Sequence, residues 1–521
     1  MLSLTWHRNI FLFGIIALVT GLLFGAAPTS ISQAILLANW LLEKDFLRKW
    51  NQIKSNKLFW VLMSLFIIHL LGLFYTSDFT RGLEDIKTKL PLVIIPLVLF
   101  TTKPFNSSEL KLIYRFFLLG IVGSTLYCFM VYAGFTHKTI IDVRQASVFM
   151  SHIRFSLIIA FAIIAFIYQI IHETNKSTKI GLMIVVLWLF FFMYKLEMVT
   201  GVICLLVTGV VLLFYLVISR ASKLGFIILS ILSVAGIFYV YLTVSKSISM
   251  YKPVRSNSAN IIVDKTANNR NYYHDTTSQL AENGNLILVN INDEELKREW
   301  EKRSAINFDG LDNKKNFIKY TLYRFMASKG LRKDSVGVTK LSDLEIKHIE
   351  DGNTNFKFTS NSGLIIRWRE LVWEYVSYTH GKNPSGHTLA MRIEFWKTGW
   401  YIAQHHFLFG VGTGDIQIEY NKAYQETNSQ LTKEWQLRCH NQYLAILIAF
   451  GVGGLFVFLI YMFYPAWHLR SFLHPLFWPF LIIILLSYIS EDTLETQAGV
   501  TFFILYYSLF LWLAEAKKSK Q

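Results

Sequence analysis

The sequence predicts an all-α integral membrane protein with about 12 transmembrane helices and one large, mainly helical loop. Hydrophobic residues make up 53% of the 521 positions and charged residues 17%, whereas a soluble chain carries about a quarter charged residues. The apolar residues are concentrated in runs of the length that a helix needs to cross a bilayer, about 20 residues. One polar stretch, residues 245–440, separates the ninth of these runs from the tenth.

Twelve apolar segments are predicted to span the bilayer, with boundaries good to about 2–4 residues. They are residues 10–27, 30–42, 58–75, 90–102, 113–133, 151–172, 180–194, 201–219, 224–244, 441–463, 476–490 and 497–514. The first is interpreted as a retained span rather than a cleaved signal peptide, because a second run begins just after the turn at Pro28. The predicted domains are therefore spans 1–9 at residues 1–244, the loop at 245–440, and spans 10–12 with a tail at 441–521.

The distribution of Lys and Arg predicts the orientation of these spans. Alternate short connections are rich in cations, including residues 44–57, residues 103–115 and the tail at 517–520. Because cation-rich short loops stay in the cytoplasm, both termini are predicted to be cytoplasmic and the long loop to lie outside. The net charge of +16 largely reflects this bias, so we expect the lipid bilayer as a partner and no nucleic acid.

The long loop is predicted to hold a helical accessory module followed by a segment of different character at residues 385–440. Four module helices are predicted from apolar residues at helical spacing, at residues 294–303, 313–331, 341–352 and 362–378. A short strand is predicted at residues 285–291. The core residues expected in the second helix are Phe317, Tyr320, Leu322, Phe325 and Met326.

The candidate chemistry lies at the end of the loop. A helix predicted at about residues 389–404 carries Arg392 and Trp396, which are four apart and share a face. His440 and Asn441 come immediately before the tenth span, at the outer water–lipid boundary. A neutral His is the side chain best suited to act as a general base near neutral pH, although a lone His at such a boundary is more often structural.

A glycine-rich run, residues 410–414, lies between these two parts. It follows a predicted helix rather than a strand, so it fails the context test for a dinucleotide-binding fingerprint. It is predicted to be a turn with close backbone approach. Its exposed N–H groups, at Gly412 and Gly414, are expected to face a phosphate.

Ionisable residues near the ends of spans are the remaining candidates, because a charge inside a membrane is costly unless it has a function. Arg154 opens a span about one helical turn from the outer surface. It either snorkels to headgroups or binds a phosphate through its guanidinium fork. Glu491, Asp492 and Glu495 form an acidic turn between the last two spans, predicted to be exposed, with substrate contact as the alternative.

Three motifs together resemble the O-antigen ligase and polymerase family of multi-span glycosyltransferases that use lipid-linked glycans. They are the R-x3-W pair of Arg392 and Trp396, the LFGVGTGD turn at residues 408–415, and HNQYL at residues 440–444, followed by a glycine-bearing span. Each motif is degenerate alone, but their order around a membrane re-entry is more specific. The chain departs from the family where an arginine often opens the eighth span, since residues 198–201 read MVTG.

The resemblance implies a metal-independent enzyme of the bacterial inner membrane that moves a glycan from undecaprenyl diphosphate to a periplasmic acceptor. For a ligase the acceptor is the lipid A–core. It implies that His440 is the catalytic base. Fixed cations aimed at the diphosphate would stabilise its developing charge, and Arg392 and Arg154 are the candidates, with Arg154 or another cation taking the place of the missing family arginine. The expected substrate-binding residues are Arg154, Asn441, Gly412, Gly414 and Trp396. No Asp-x-Asp or His/Asp cluster appears in the outer segments, so no metal or other cofactor is expected.

Other functions fit parts of the same pattern. An O-antigen polymerase or a protein O-oligosaccharyltransferase uses the same donor and almost the same motifs, so the acceptor decides among them. A polysaccharide transporter or flippase is disfavoured because no two halves repeat each other and the ionisable groups gather at the outer surface. A sensor or adhesion protein with a folded ectodomain has no need of Arg154 in a span or His440 at the boundary.

Overall fold

The computed structural model describes residues 4–140, 142–254, 256–359 and 363–520, which are predominantly helical. The chain forms two compact units. Unit 1 comprises residues 1–216 and 392–521, and unit 2 comprises residues 217–391. The end of the long loop, from Arg392 onward, therefore belongs to the same unit as most of the apolar helices.

The helices follow the predicted order along the chain. Before the loop they are α1 Leu4–Gly21, α2 Ala26–Leu42, α3 Phe46–Ile53, α4 Lys57–Gly72, α5 Phe79–Lys89, α6 Pro91–Phe100, α7 Ser107–Tyr132, α8 His152–His172, α9 Lys176–Lys195, α10 Val199–Ser219 and α11 Lys223–Ser249. In the loop they are α12 Asp293–Trp300, α13 Ile318–Ser328, α14 Ser335–Thr339, α15 Asp343–Glu350, α16 Gly363–Thr379, α17 Thr388–His405 and α18 Ile416–Glu426. After the loop come α19 Gln442–His468, α20 Phe477–Ser490 and α21 Gln497–Lys518.

The prediction of an all-α membrane protein is confirmed. Among the described residues, 9 helices are long and apolar enough to cross a bilayer, namely α1, α4, α7, α8, α9, α10, α11, α19 and α21. The other three predicted spans coincide with shorter helices: α2 with 17 residues, α6 with 10 and α20 with 14. The total of twelve spans stays a prediction, because these three are shorter than the full thickness of the hydrocarbon requires.

Helix α21 forms the centre of unit 1, since 83% of its most apolar window is buried. Some of the buried polar side chains of the unit form hydrogen bonds between helices. The amide of Gln33 donates to the Thr501 hydroxyl at 2.9 Å, and the Tyr507 hydroxyl lies 2.9 Å from the carbonyl oxygen of Tyr461. Such bonds satisfy groups that would otherwise cost free energy in a dry interior.

Unit 2 has its own hydrophobic core, which corrects part of the prediction for α13. Leu322, Phe325 and Met326 are fully buried in it, as predicted. Phe317 and Tyr320, however, are 53% and 51% exposed, so the prediction of a core position is wrong for both. The helix begins only at Ile318, which leaves Phe317 outside its periodicity, and Tyr320 projects from the opposite face to Ile318 and Leu322.

The predicted strand at residues 285–291 is largely irregular. Only Asn285–Leu286 (β2) is a strand, and it pairs antiparallel with Ala281–Glu282 (β1) in a two-stranded hairpin. Farther along, Ile291 makes isolated bridges to Tyr273 and Lys333. The alternating apolar residues here pack into the core of unit 2 without forming a longer ladder.

Candidate functional site

His440 lies where the loop returns to the apolar helices of unit 1. Its backbone has a φ of 45°, a left-handed conformation that costs energy for a non-glycine residue and often occurs at functional sites. The next residue, Asn441, caps α19, because its side-chain oxygen accepts from the Leu444 N–H at 3.0 Å. The cap fixes the point at which the chain changes direction and thereby the direction of the His440 side chain.

Asn441 has a positioning role in the structure, and its contact with substrate stays a prediction. Besides the cap, its side-chain nitrogen donates to the carbonyl oxygen of Ile489 at 3.0 Å. Both ends of the amide are thus engaged within the protein. The two bonds hold the start of α19 against the end of α20, which brings the acidic turn after α20 next to His440.

His440 pairs with Asp492 in this turn. The Nδ1 atom lies 3.3 Å from the Asp492 carboxylate, and the side chains are 33% and 9% exposed. The hydrogen bond to Asp492 raises the pKa of His440 above its ordinary value; burial opposes the rise and the charges of Asp492 and Glu491 add to it. The second ring nitrogen, Nε2, is left available for a proton from another molecule.

Arg392 and Glu491 form an ion pair beside this dyad. The guanidinium Nη2 lies 2.6 Å from the Glu491 carboxylate, with side chains 19% and 7% exposed. Burial raises the pKa of Glu491, while the charges of Arg392, His440 and Arg154 lower it. Arg154 is therefore close enough to act on the same carboxylate. Its Nε atom is buried with no hydrogen-bond partner among the described residues.

The acidic turn is the feature that sequence reasoning misjudged. Glu491 and Asp492 are only 5% and 7% exposed, so the prediction of an exposed turn is wrong. Three carboxylates within five residues between two apolar runs were the available signal, since such a density has to be compensated by cations from elsewhere. The structure shows that compensation, which comes from Arg392, His440 and a buried lysine.

That lysine is Lys89, whose side chain is fully buried at the end of α5. Its Nζ atom lies 3.1 Å from Asp85, 3.0 Å from Glu495 and 2.6 Å from the carbonyl oxygen of Leu494. Although burial opposes ionisation of Glu495, the charges of Lys89 and Arg438 hold its pKa well below the ordinary value. This network fixes the C-terminal half of the acidic turn.

The glycine-rich turn has a structural role, which corrects the expectation for Gly412 and Gly414. The Gly412 N–H donates to the Ala449 carbonyl at 2.9 Å, and the Gly414 N–H donates to the Thr76 hydroxyl at 2.9 Å. Neither group is exposed to a phosphate. A Cβ on Gly412 would lie 2.9 Å from the Gly72 carbonyl oxygen, and its φ is +91°, so glycine is required for the close approach.

The turn is the tip of a helical hairpin, α17 and α18, that packs beside α19. Helix α19 is interrupted at Gly451, which has a φ of 64°, and the Val452 N–H donates instead to the Phe407 carbonyl at 2.8 Å. Gly451 lies nine residues after Gln442, or roughly 14 Å at the rise of an α-helix. The side chains of Phe407, Leu408 and Phe409 are exposed.

Trp396 remains a predicted substrate-binding residue. It lies on α17 one turn after Arg392 and is partly buried. Its indole Nε1 is buried without a hydrogen-bond partner within the described ranges. Buried indole N–H groups usually find a partner, so this donor is left unsatisfied by the described residues.

The site has two chemical capabilities. His440, Glu491 and Asp492 present ligand atoms that all lie within 4.8 Å of one another, a spacing suited to a divalent cation; they come from two segments, so the sequence shows no metal motif. The other capability is acid–base chemistry, with Arg392 and Arg154 supplying fixed positive charge. The ion pair of Arg392 with Glu491 already neutralises one of the three candidate metal ligands.

Comparison with known proteins adds an independent finding. Residues 352–459 match the sequence model of a family described as O-antigen ligase. The matched stretch contains Arg392, Trp396, the glycine-rich turn and His440, and it confirms the resemblance found in the motifs. No curated protein matches the chain.

Proposed function

We propose that this chain, a relative of the O-antigen ligases by residues 352–459, transfers a glycan from undecaprenyl diphosphate to the lipid A–core on the periplasmic face of a bacterial inner membrane. The observation that carries the proposal is the His440–Asp492 dyad beside the two arginines. We place both termini in the cytoplasm because the cation-rich short connections alternate in that sense.

In the proposed reaction His440 is the general base. With its Nδ1–H directed at Asp492, the Nε2 lone pair accepts the proton of the attacking acceptor hydroxyl. The hydroxyl oxygen forms a bond to the anomeric carbon as the bond from that carbon to the diphosphate oxygen breaks. The diphosphate leaves with the bonding electron pair, and the proton passes from His440 to solvent.

The arginines act on the leaving group. Negative charge develops on the diphosphate oxygens in the transition state, and fixed cations in a partly dry site stabilise such charge strongly. Arg392 is held in place by Glu491, and the unpaired Nε of Arg154 suits a phosphate oxygen. We propose that these two side chains make a metal ion unnecessary.

Two further functions are alternatives within this chemistry: an O-antigen polymerase and a protein O-oligosaccharyltransferase. They differ in acceptor alone, and the family description favours the ligase. A flippase is disfavoured because His440, Asp492 and Glu491 lie outside the membrane-spanning helices, whereas transporters bind substrate near the midplane.

Reconstitution tests the proposal. The full chain in liposomes is supplied with a polyprenyl-diphosphate-linked oligosaccharide and, separately, lipid A–core, a second copy of the glycan lipid, or a Ser-rich protein. We expect labelled lipid A–core and free undecaprenyl diphosphate, with a rate unchanged by EDTA. Extension of the glycan lipid identifies a polymerase and labelled protein identifies the protein-modifying enzyme. No product with any acceptor contradicts transferase activity altogether.

Replacing Arg392 with Gln is expected to lower the rate of transfer about a hundredfold, because one fixed cation facing the leaving group is lost. Initial rates in the reconstituted assay measure the effect. Arg392→Lys retains the charge without the bidentate fork, and its transfer rate is expected to lie between those of the wild type and Arg392→Gln. Equal rates for wild type and Arg392→Gln would refute the role in the transition state.

Replacing Asp492 with Asn is expected to shift the pH–rate profile. The hydrogen bond to Asp492 raises the pKa of His440, and a general base works only when neutral, so activity in the wild type rises as pH passes upward through that raised pKa. Without the carboxylate the acidic limb moves to lower pH, by about one unit. Glu434→Gln, which removes an exposed acid from the same loop end, should leave the limb in place.

A further inference from the structure

Unit 2 contains a large cavity that the proposed chemistry does not use. Its volume is about 800 Å³, within the range of about 300–1,000 Å³ that small-molecule sites occupy. The walls come from the region between Tyr251 and His387, so the cavity lies wholly within unit 2. Its lining is divided between residues before the segment that matches the known family and residues inside that segment, which begins at residue 352.

The lining is rich in positive charge. Five cationic side chains and two carboxylates, those of Glu370 and Glu374, line the cavity, and one of the cations is also paired with the buried Glu282 behind the wall. The cations are Lys314, Lys315, Arg324, Arg369 and Lys382. Lys315 is exposed and forms no ion pair within the described residues. A concave surface with this excess of one charge attracts and concentrates anions.

Two polar groups in the wall lack partners. The guanidinium of Arg369 lies over the ring of Phe358, but its Nη1 atom is buried with no hydrogen-bond partner among the described residues. The hydroxyl of Ser377 is likewise buried without a hydrogen-bond partner there. Ser377 is only 5% exposed. A buried donor left unpaired costs about 1–3 kcal/mol, and more when it is charged, so each such group needs an explanation. A ligand with an anionic group and hydroxyl groups satisfies both.

Aromatic rings complete the site. Arg324 lies 3.7 Å from the centroid of Trp373, whose ring packs edge-on against Tyr251 at 5.3 Å. The exposed rings of Phe317, which precedes α13, and of Tyr320 in α13 also line the cavity. The C–H face of a sugar ring is apolar and packs on such rings, whereas the sugar hydroxyls bind amides such as that of Asn353, another lining residue.

We propose that this cavity binds an acidic saccharide, with its carboxylate or phosphate on Arg369 and Lys315, a hydroxyl on Ser377 and a sugar face against the aromatic rings. The choice of a saccharide over other organic anions rests on the proposed function; the anion specificity does not. The bidentate guanidinium suits either anionic group.

Binding by the full chain in detergent tests the proposal, with digalacturonate, glucose 6-phosphate and neutral lactose as probes in isothermal titration. We expect both acidic probes to bind at least tenfold more tightly than lactose, and more weakly as salt rises. Arg369→Gln should weaken binding of the acidic probes about tenfold or more. Lys315→Gln, at an exposed position where folding is not at risk, should weaken it several-fold.

Two controls make the result decisive. Lys340→Gln removes an exposed lysine of unit 2 outside the cavity and should bind as the wild type does. His440→Ala should also bind the acidic probes as the wild type does. If the wild type binds these probes but transfers no glycan, the proposed function is refuted and the present inference stands. Equal binding of lactose and the acidic probes, no binding of any probe, or loss in His440→Ala would overturn the inference.

Discussion

Replacing His440 with Ala is expected to lower the rate of glycan transfer at neutral pH by about 10²–10⁴-fold, the range that general-base catalysis contributes. The side chain is the one group in the described site that combines a raised pKa, a free ring nitrogen and partial exposure. Initial rates with lipid-linked donor and acceptor measure the loss. Binding of the donor should change little, because the arginines remain.

His405 provides the matched control for this variant. It is an exposed histidine at the end of α17. Its ring contacts the ring of Tyr401, and its Nδ1 atom lies 2.8 Å from the carbonyl oxygen of Tyr401. His405→Ala is expected to transfer glycan at the wild-type rate. If His440→Ala and His405→Ala were equally active, the catalytic assignment of His440 would be wrong.

Replacing Lys89 with Met should destabilise the protein by about 3–5 kcal/mol, because removal of one partner strands buried opposite charges. The side chain is 0% exposed and lies between the carboxylates of Asp85 and Glu495. Without it, both acids are buried without a cation at their centre. Chemical unfolding of the purified chain in detergent measures the change.

Lys87 and Glu495 supply the controls. Lys87 is exposed on the same helix, and Lys87→Met is expected to change the free energy of unfolding by less than about 0.5 kcal/mol. The double variant Lys89→Met with Glu495→Gln should recover part of the loss, since one stranded charge is removed. A Lys89→Met protein as stable as Lys87→Met would contradict the assigned role of the network.

The helices were predictable because bilayer-spanning composition is a strong local signal. Each of the twelve predicted segments coincides with a helix, and the predicted helix at about residues 389–404 appears as Thr388–His405. The packing of the α17–α18 hairpin beside α19 was not predictable. The tip of this hairpin is held by carbonyl groups of α4 and α19, which lie far apart in the sequence. Residues 416–426 by themselves have no membrane-spanning composition.

Individual residues of the site could be predicted from the sequence, but their pairing across distant segments could not. His440 immediately precedes a predicted span, and Arg392 lies in a predicted helix. Both could therefore be identified from the sequence. Asp492 and Glu491 come from the turn between two later helices, and only the packing of α19 against α20 makes them partners of His440 and Arg392. The composition of a segment shows that a carboxylate is present, but it does not show which cation pairs with that carboxylate in the folded protein.

The glycine-rich turn also makes a contact that can form only late in folding. The Thr413 hydroxyl donates to the carbonyl of His69, which lies 344 residues earlier in the chain. Such a contact closes a very long loop, and long-range contacts form late. On the proposed topology the helices before the loop are in the bilayer while the loop at residues 245–440 is exported. Activity is then acquired only when the chain returns from the far side of the membrane, so a protein stalled during export is inactive even with its first nine predicted spans in place.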